Sequence, residues 1–153
     1  MNRAWCEKTV VPALLRDARG IFAAAMHSAL DEATYGDITE NGLYIVGGLV
    51  NGAGDAPIGL MAQQLRITKQ AAGQPVDTLV MRGYLTREGD ASDRRKLVIA
   101  LTDRCRDAAD VQGAARDRID TELHARIGGN GLRAWKRGLA ALTKIGRQEK
   151  TPT

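Results

Sequence analysis

The side chains in this sequence best suited to chemistry are hydrogen-bond donors rather than nucleophiles. Asp93 is followed by Arg94, Arg95 and Lys96, and earlier in the chain Thr68, Lys69, Gln70, Gly73 and Gln74 fall together at helical spacing. Guanidinium and ammonium groups neutralise phosphates, hydroxyls contact phosphate oxygens, and Gln and Lys present heads that match base edges. That is the chemistry of gripping a polyanion without making or breaking a covalent bond. The charge is distributed accordingly: Leu60 to Arg106 holds nine cations against five anions, an excess of +4 equal to the net charge of the whole chain. One basic stretch in an otherwise balanced protein is the footprint of a phosphate-backbone binder. A solvated charged face has the same composition.

Other chemistries find little support. Cys6 and Cys105 are far apart, and His27 and His124 are the only histidines, so no metal-ligand spacing arises and no cofactor is expected. There is no phosphate loop, nucleophile elbow or clustered acid and base, which argues against an enzyme. No apolar run approaches the roughly 20 residues that span a bilayer, and the amino terminus lacks a secretory pattern, so a cytoplasmic protein with no membrane partner is expected. At 153 residues the chain fits one domain with a real core, and its 4% aromatic content suits close-packed helices of small aliphatic residues.

The elements that must position the donors follow from periodicity and punctuation. Leu14, Leu15, Ala18, Ile21, Phe22, Ala25, Met26, Ala29 and Leu30 form one stripe and predict a helix from about Thr9 to Thr34. A second helix is expected over Glu40 to Val50, capped by Thr39 and facing inward with Leu43, Val46 and Leu49, before the breaker run Asn51 to Pro57. Leu60 to Leu65 makes a short helix. Thr68 then caps a helix running to Arg82 and stopped by Gly83, with Ala72, Val76 and Leu79 inward and Lys69, Gln70, Gly73, Gln74 and Asp77 outward. Tyr84 to Arg87 and Lys96 to Leu101 read as paired strands, the second alternating through Leu97, Ile99 and Leu101, around a tip from Glu88 to Arg95. Thr102 caps a long helix reaching Ile127. After a break at Gly128 to Gly131, a last helix runs to about Ile145 with Leu132, Trp135, Leu139 and Leu142 as its apolar stripe. The fold class is mainly α with a small β-hairpin wing, a winged helix-turn-helix. Apolar terminal helices around a small head favour a two-fold dimer, though the same stripes could close a monomer's own core.

The stretches Met61 to Thr68, Val76 to Arg87, Ser92 to Lys96 and Ala100 to Asp103 together resemble the MarR family of bacterial transcriptional regulators. The resemblance implies a single domain over 1–153, with dimerisation helices at about 1–36 and 103–147 and a DNA-binding head at about 39–102. It implies a homodimeric repressor of palindromic operators on double-stranded DNA, with recognition helices in major grooves and wings in minor grooves. Carried over by position, Thr68, Lys69, Gln70 and Gln74 would meet DNA, Asp93 would hold the wing and orient Arg95 into a minor groove, and Arg94 and Lys96 would sit near phosphates. Thr68 as a simple cap, and Asp93 as a turn-stiffening partner of a nearby Arg, fit the same residues.

Pro75 departs from the family pattern. It removes the hydrogen bond to the Ala71 carbonyl and costs about 3 kcal/mol in a helix interior, and Gly73 adds about 1 kcal/mol relative to Ala. A kinked recognition helix and weaker or unusual operator binding are therefore expected. The alternative function is a winged-helix protein-interaction or dimerisation module that has lost specific DNA binding. The resemblance also implies release by a small aromatic effector, for which Met26, Tyr35 and Tyr44 are pocket candidates, or by thiol oxidation. Cys6 is the candidate for the latter, whereas Cys105, at a helix start that could lower its pKa, reads as structural.

Overall fold

The computed structural model describes residues 4–53, 55–65, 67–89 and 97–148. Among these residues the elements follow in the order α1 (Ala4–Lys8), α2 (Val11–Glu32), α3 (Glu40–Gly48), β1 (Ala56–Pro57), α4 (Ile58–Leu65), α5 (Lys69–Met81), β2 (Leu85–Gly89), β3 (Leu97–Leu101) and α6 (Asp103–Gln148). A π-helical turn over Leu49–Ala53 continues α3. The chain divides into two compact units, Met1–Arg116 and Asp117–Thr153.

In the first unit, local chemistry sets the helix ends. Thr39 accepts the Gly42 amide at 3.2 Å at the start of α3, and Thr68 accepts the Ala71 amide at 3.0 Å at the start of α5. Each satisfies one of the donors that a helix N-terminus leaves orphaned. At its other end α5 closes in a Schellman motif: Gly83, at φ 78, donates to the Val80 carbonyl at 3.0 Å while Tyr84 donates to Leu79 at 2.9 Å. The end of α2 repeats this geometry with Thr34 at φ 69, and there Tyr35 donates to Leu30 at 2.8 Å. Thr34 is a β-branched residue in the left-handed region, where only Gly is at ease.

The core gathers the inward faces of these helices. Leu43, Val46 and Leu49, Met61 and Ala62, and Ala72, Val76 and Leu79 are all buried, together with Ile38, Tyr84, Leu85 and Ile99. Gln112 of α6 is buried as well, and its amide donates to the Leu43 carbonyl at 3.0 Å, so that α6 is pinned to α3 by a satisfied polar contact.

Three sequence expectations need correction. The sheet has three strands, not two, in the order β1-β3-β2, with Ala56 opposite Ile99 and Leu85 opposite Leu101. β1 lies inside the expected breaker run, and its Pro57 is tolerated because an edge strand can spare an amide. The clean alternation expected of β3 does not hold, since Ile99 and Ala100 are both buried while Leu101 is half-buried. The four-residue break at Gly128 to Gly131 is a single residue: only Gly128 leaves helical geometry, at φ 69 and ψ 167, and α6 resumes beyond it.

Candidate nucleic-acid interface

Helix α5 has two unlike faces. Ala72, Val76 and Leu79 are locked into the core, while Lys69, Gln70, Gln74 and Asp77 are exposed and Gly73 is half-buried. The buried face fixes the helix, and the Thr68 cap fixes its first turn, which carries the long donor side chains. Pro75 does not end the helix, since α5 runs on through it to Met81. The wing strands lie directly after α5, and β2 is tied back to it by an ion pair between Arg87 and Asp77. The wing-tip residues Asp93, Arg94, Arg95 and Lys96 lie outside the described residues, as does Arg66.

A polar cluster that the sequence did not reveal anchors the head. The Asp37 carboxylate accepts the Tyr84 hydroxyl and the Arg104 guanidinium, the latter at 3.2 Å, and the Asp37 carbonyl accepts a donor from Arg82. Arg104 also stacks 4.6 Å from the Tyr84 ring centroid, and Tyr35 meets Tyr84 edge-on at 6.4 Å. The end of α5, Tyr84 at the approach to β2 and the start of α6 thereby converge on one residue of the turn before α3. Burial pushes the Asp37 carboxyl up, but the Tyr84 hydroxyl and Arg104 outweigh it and leave the pKa below its ordinary value. Tyr84 is pushed up to about 12, first by burial and then by its bond to Asp37. The Asp37 partners lie 47 and 67 residues away along the chain, so no local pattern could have exposed the cluster.

The three pocket candidates do not come together. Met26 and Tyr35 pack against the core, whereas Tyr44 lines a cavity of 560 Å³ with Arg19, Asn41, Ile45, Ile67, Ala71 and Pro75. Arg19 donates from Nε to the Tyr44 hydroxyl at 2.6 Å. Cys6 sits in α1 with its side chain outside the described residues. Cys105 is fully buried, and burial raises its thiol to about 11 against the opposing charge of Arg106.

A capped helix presenting donors, preceded by a short helix and followed by a two-stranded wing that pairs with β1 in one sheet, defines a winged helix-turn-helix protein. Within that class the chain is similar to the MarR family, whose model matches residues 43–96. Solved structures share the fold over nearly the whole chain. FabT of Streptococcus pneumoniae, in complex with DNA, is 17% identical with a TM-score of 0.75, covering 92% of this chain and 97% of its own. The transcriptional repressor CouR, bound to a 23-mer duplex, is 19% identical with a TM-score of 0.70, covering 94% and 98%. NadR in complex with 4-hydroxyphenylacetate is 20% identical with a TM-score of 0.68, covering 90% and 94%. The chain matches no curated protein sequence.

Proposed function

We propose that this chain is a MarR-family regulator, a homodimeric cytoplasmic repressor acting as one functional domain, which binds palindromic operator DNA and releases it when a small aromatic molecule binds. The observation that carries the reading is the split character of α5, whose inner face is core while its capped outer turn offers Lys69, Gln70 and Gln74 to solvent. Gln pairs with adenine edges and Lys with guanine or phosphate, and the basic residues Arg94, Arg95 and Lys96 supply wing contacts. DNA in the FabT and CouR structures, and 4-hydroxyphenylacetate in that of NadR, support the two halves of the reading. Continuity of α5 through Pro75 favours it over a head that has lost DNA binding.

Dimerisation is supported by α2, a 22-residue helix whose one buried residue is Leu30, with Val11 and Ile21 exposed. An apolar stripe left half in water on so long a helix is what a second copy covers.

The test is fluorescence anisotropy with a duplex from the intergenic region beside the gene, at about 50 and 200 mM salt. A protein making several phosphate contacts loses about 10³-fold or more in affinity over that range, and Arg95→Ala shallows the slope. Salt-insensitive or absent binding contradicts the reading.

A further inference from the structure

Gly128 divides α6 into halves of unlike charge. Asp117, Asp120 and Glu122 precede it, whereas Gly129 to Gln148 holds five cations and not one anion. At about 100° per residue, Arg133, Lys136, Arg137 and Lys144 fall within an arc of about 100°. All four are exposed. Leu132, Trp135, Leu139, Leu142 and Ile145 occupy the opposite side, so the segment is a basic amphipathic helix. Lys136 stands 3.8 Å from Asp120, but among the described residues no carboxylate pairs with Arg133, Arg137 or Lys144. Arg133 donates to the Asn130 side-chain oxygen, and with Lys136 and Arg137 the two border a cavity of 620 Å³.

We propose that this ridge is a second phosphate-binding surface, made of other residues than α5 and the wing, which holds double-stranded DNA by its backbone without reading sequence. From Arg133 to Lys144 the ridge runs about 16 Å along the helix axis, and a duplex offers one negative charge per about 1.7 Å of its own axis. Asn130, Ala140 and Thr143 stand between and beside the cations, so the ridge lacks the large apolar anchors on which affinity for a protein partner depends. A lipid surface suits it less well. A helix lying in a bilayer interface gives its apolar face to the acyl chains, and here Leu132, Trp135 and Leu139 are already half-buried in the chain. The inference goes beyond the reading of α5 and does not depend on it.

The experiment is anisotropy of the full chain with a random-sequence duplex and with the intergenic duplex, titrated from about 50 to 200 mM salt. The native chain is compared with Arg133→Gln/Arg137→Gln/Lys144→Gln and with the head variant Lys69→Ala/Gln70→Ala. Loss of three phosphate contacts shallows the log–log salt slope on random duplex by about 3, whereas the head variant changes it by about 1 at most. Arg133→Lys/Arg137→Lys keeps the native slope, because neutralising a phosphate backbone needs the charge and not the guanidinium fork. Circular dichroism and sedimentation equilibrium verify that the glutamine variant keeps its fold and its self-association. Should it not fold, Arg137→Gln alone reads the same effect as a slope shallower by about 1. An unchanged slope overturns the ridge. So does loss of self-association in a folded variant, since the cations would then face a second copy. Binding to phosphatidylserine vesicles that the glutamine variant loses, with duplex binding unaltered, overturns it in favour of a lipid surface. If the glutamine variant loses its slope on random duplex and the native chain shows no preference for the intergenic duplex, the ridge stands and the repressor reading falls. If the preference is there and the slope is unaltered, the reverse holds.

Discussion

Helices α2 and α5 lie in the same compact unit and bury their faces to very different degrees. Over 13 residues α5 places Ala72, Val76 and Leu79 in the core, whereas α2, with 22 residues, buries only Leu30. The head closes its own core and can afford an exposed polar face on its reading helix. The long amino-terminal helix does not finish its packing within the chain. On the proposed reading, one region meets its partner through polar donors and the other is completed by apolar contact with a second copy.

The contrast breaks most visibly in the head's core. Leu79→Ala removes a side chain that is 1% exposed and is expected to cost about 2–5 kcal/mol, read as a drop in denaturation midpoint. In α2 the same kind of disruption should act on assembly instead. Ile21→Asp, at a position 61% exposed in the single chain, leaves the monomer folded but weakens self-association by about 30-fold or more, measured by sedimentation equilibrium. A comparable loss of monomer stability would mean that the stripe belongs to the chain's own core. On the outer face of α5, Gln70→Ala is expected to cost about 1–3 kcal/mol of discrimination at one operator base pair while leaving the melting curve in place.

Smaller effects sharpen the picture of how the head is held. Tyr84 has a folded pKa of about 12, above its unfolded value, so its contribution is intact below about pH 10 and is lost as the pH rises toward 12. Tyr84→Phe should flatten that alkaline fall in stability. Thr34→Gly relieves a left-handed Thr that costs about 1–2 kcal/mol, less the added freedom of the unfolded chain, and should raise stability slightly.

What could be read from the sequence was whatever is decided over a few neighbouring residues. Thr39 and Thr68 as caps, Gly83 as the stop of α5, and the inward sets of α3 and α5 are all settled within one or two helical turns. The exposed donors of α5 followed from that same periodicity. What could not be read was decided at a distance. The Asp37 cluster joins segments that only the fold brings together, and β1 is a strand solely because the Ile99 edge is there to pair with it. The expected break between two helices falls at Gly128 alone, which turns to positive φ, while Gly129 and Gly131 are helical. Pro75 lies inside α5, which the capped turn before it and the packed turn after it hold together.

The most direct measurement is the mass of the complex with a tight-binding operator duplex, by size-exclusion chromatography with light scattering, for the native chain and for Ile21→Asp. A complex of one duplex with two 16.5 kDa chains, collapsing to weak single-chain binding in the variant, is what a self-contained head on an incomplete helix predicts. One chain per duplex, or two chains bound as tightly in the variant as in the native protein, would contradict it.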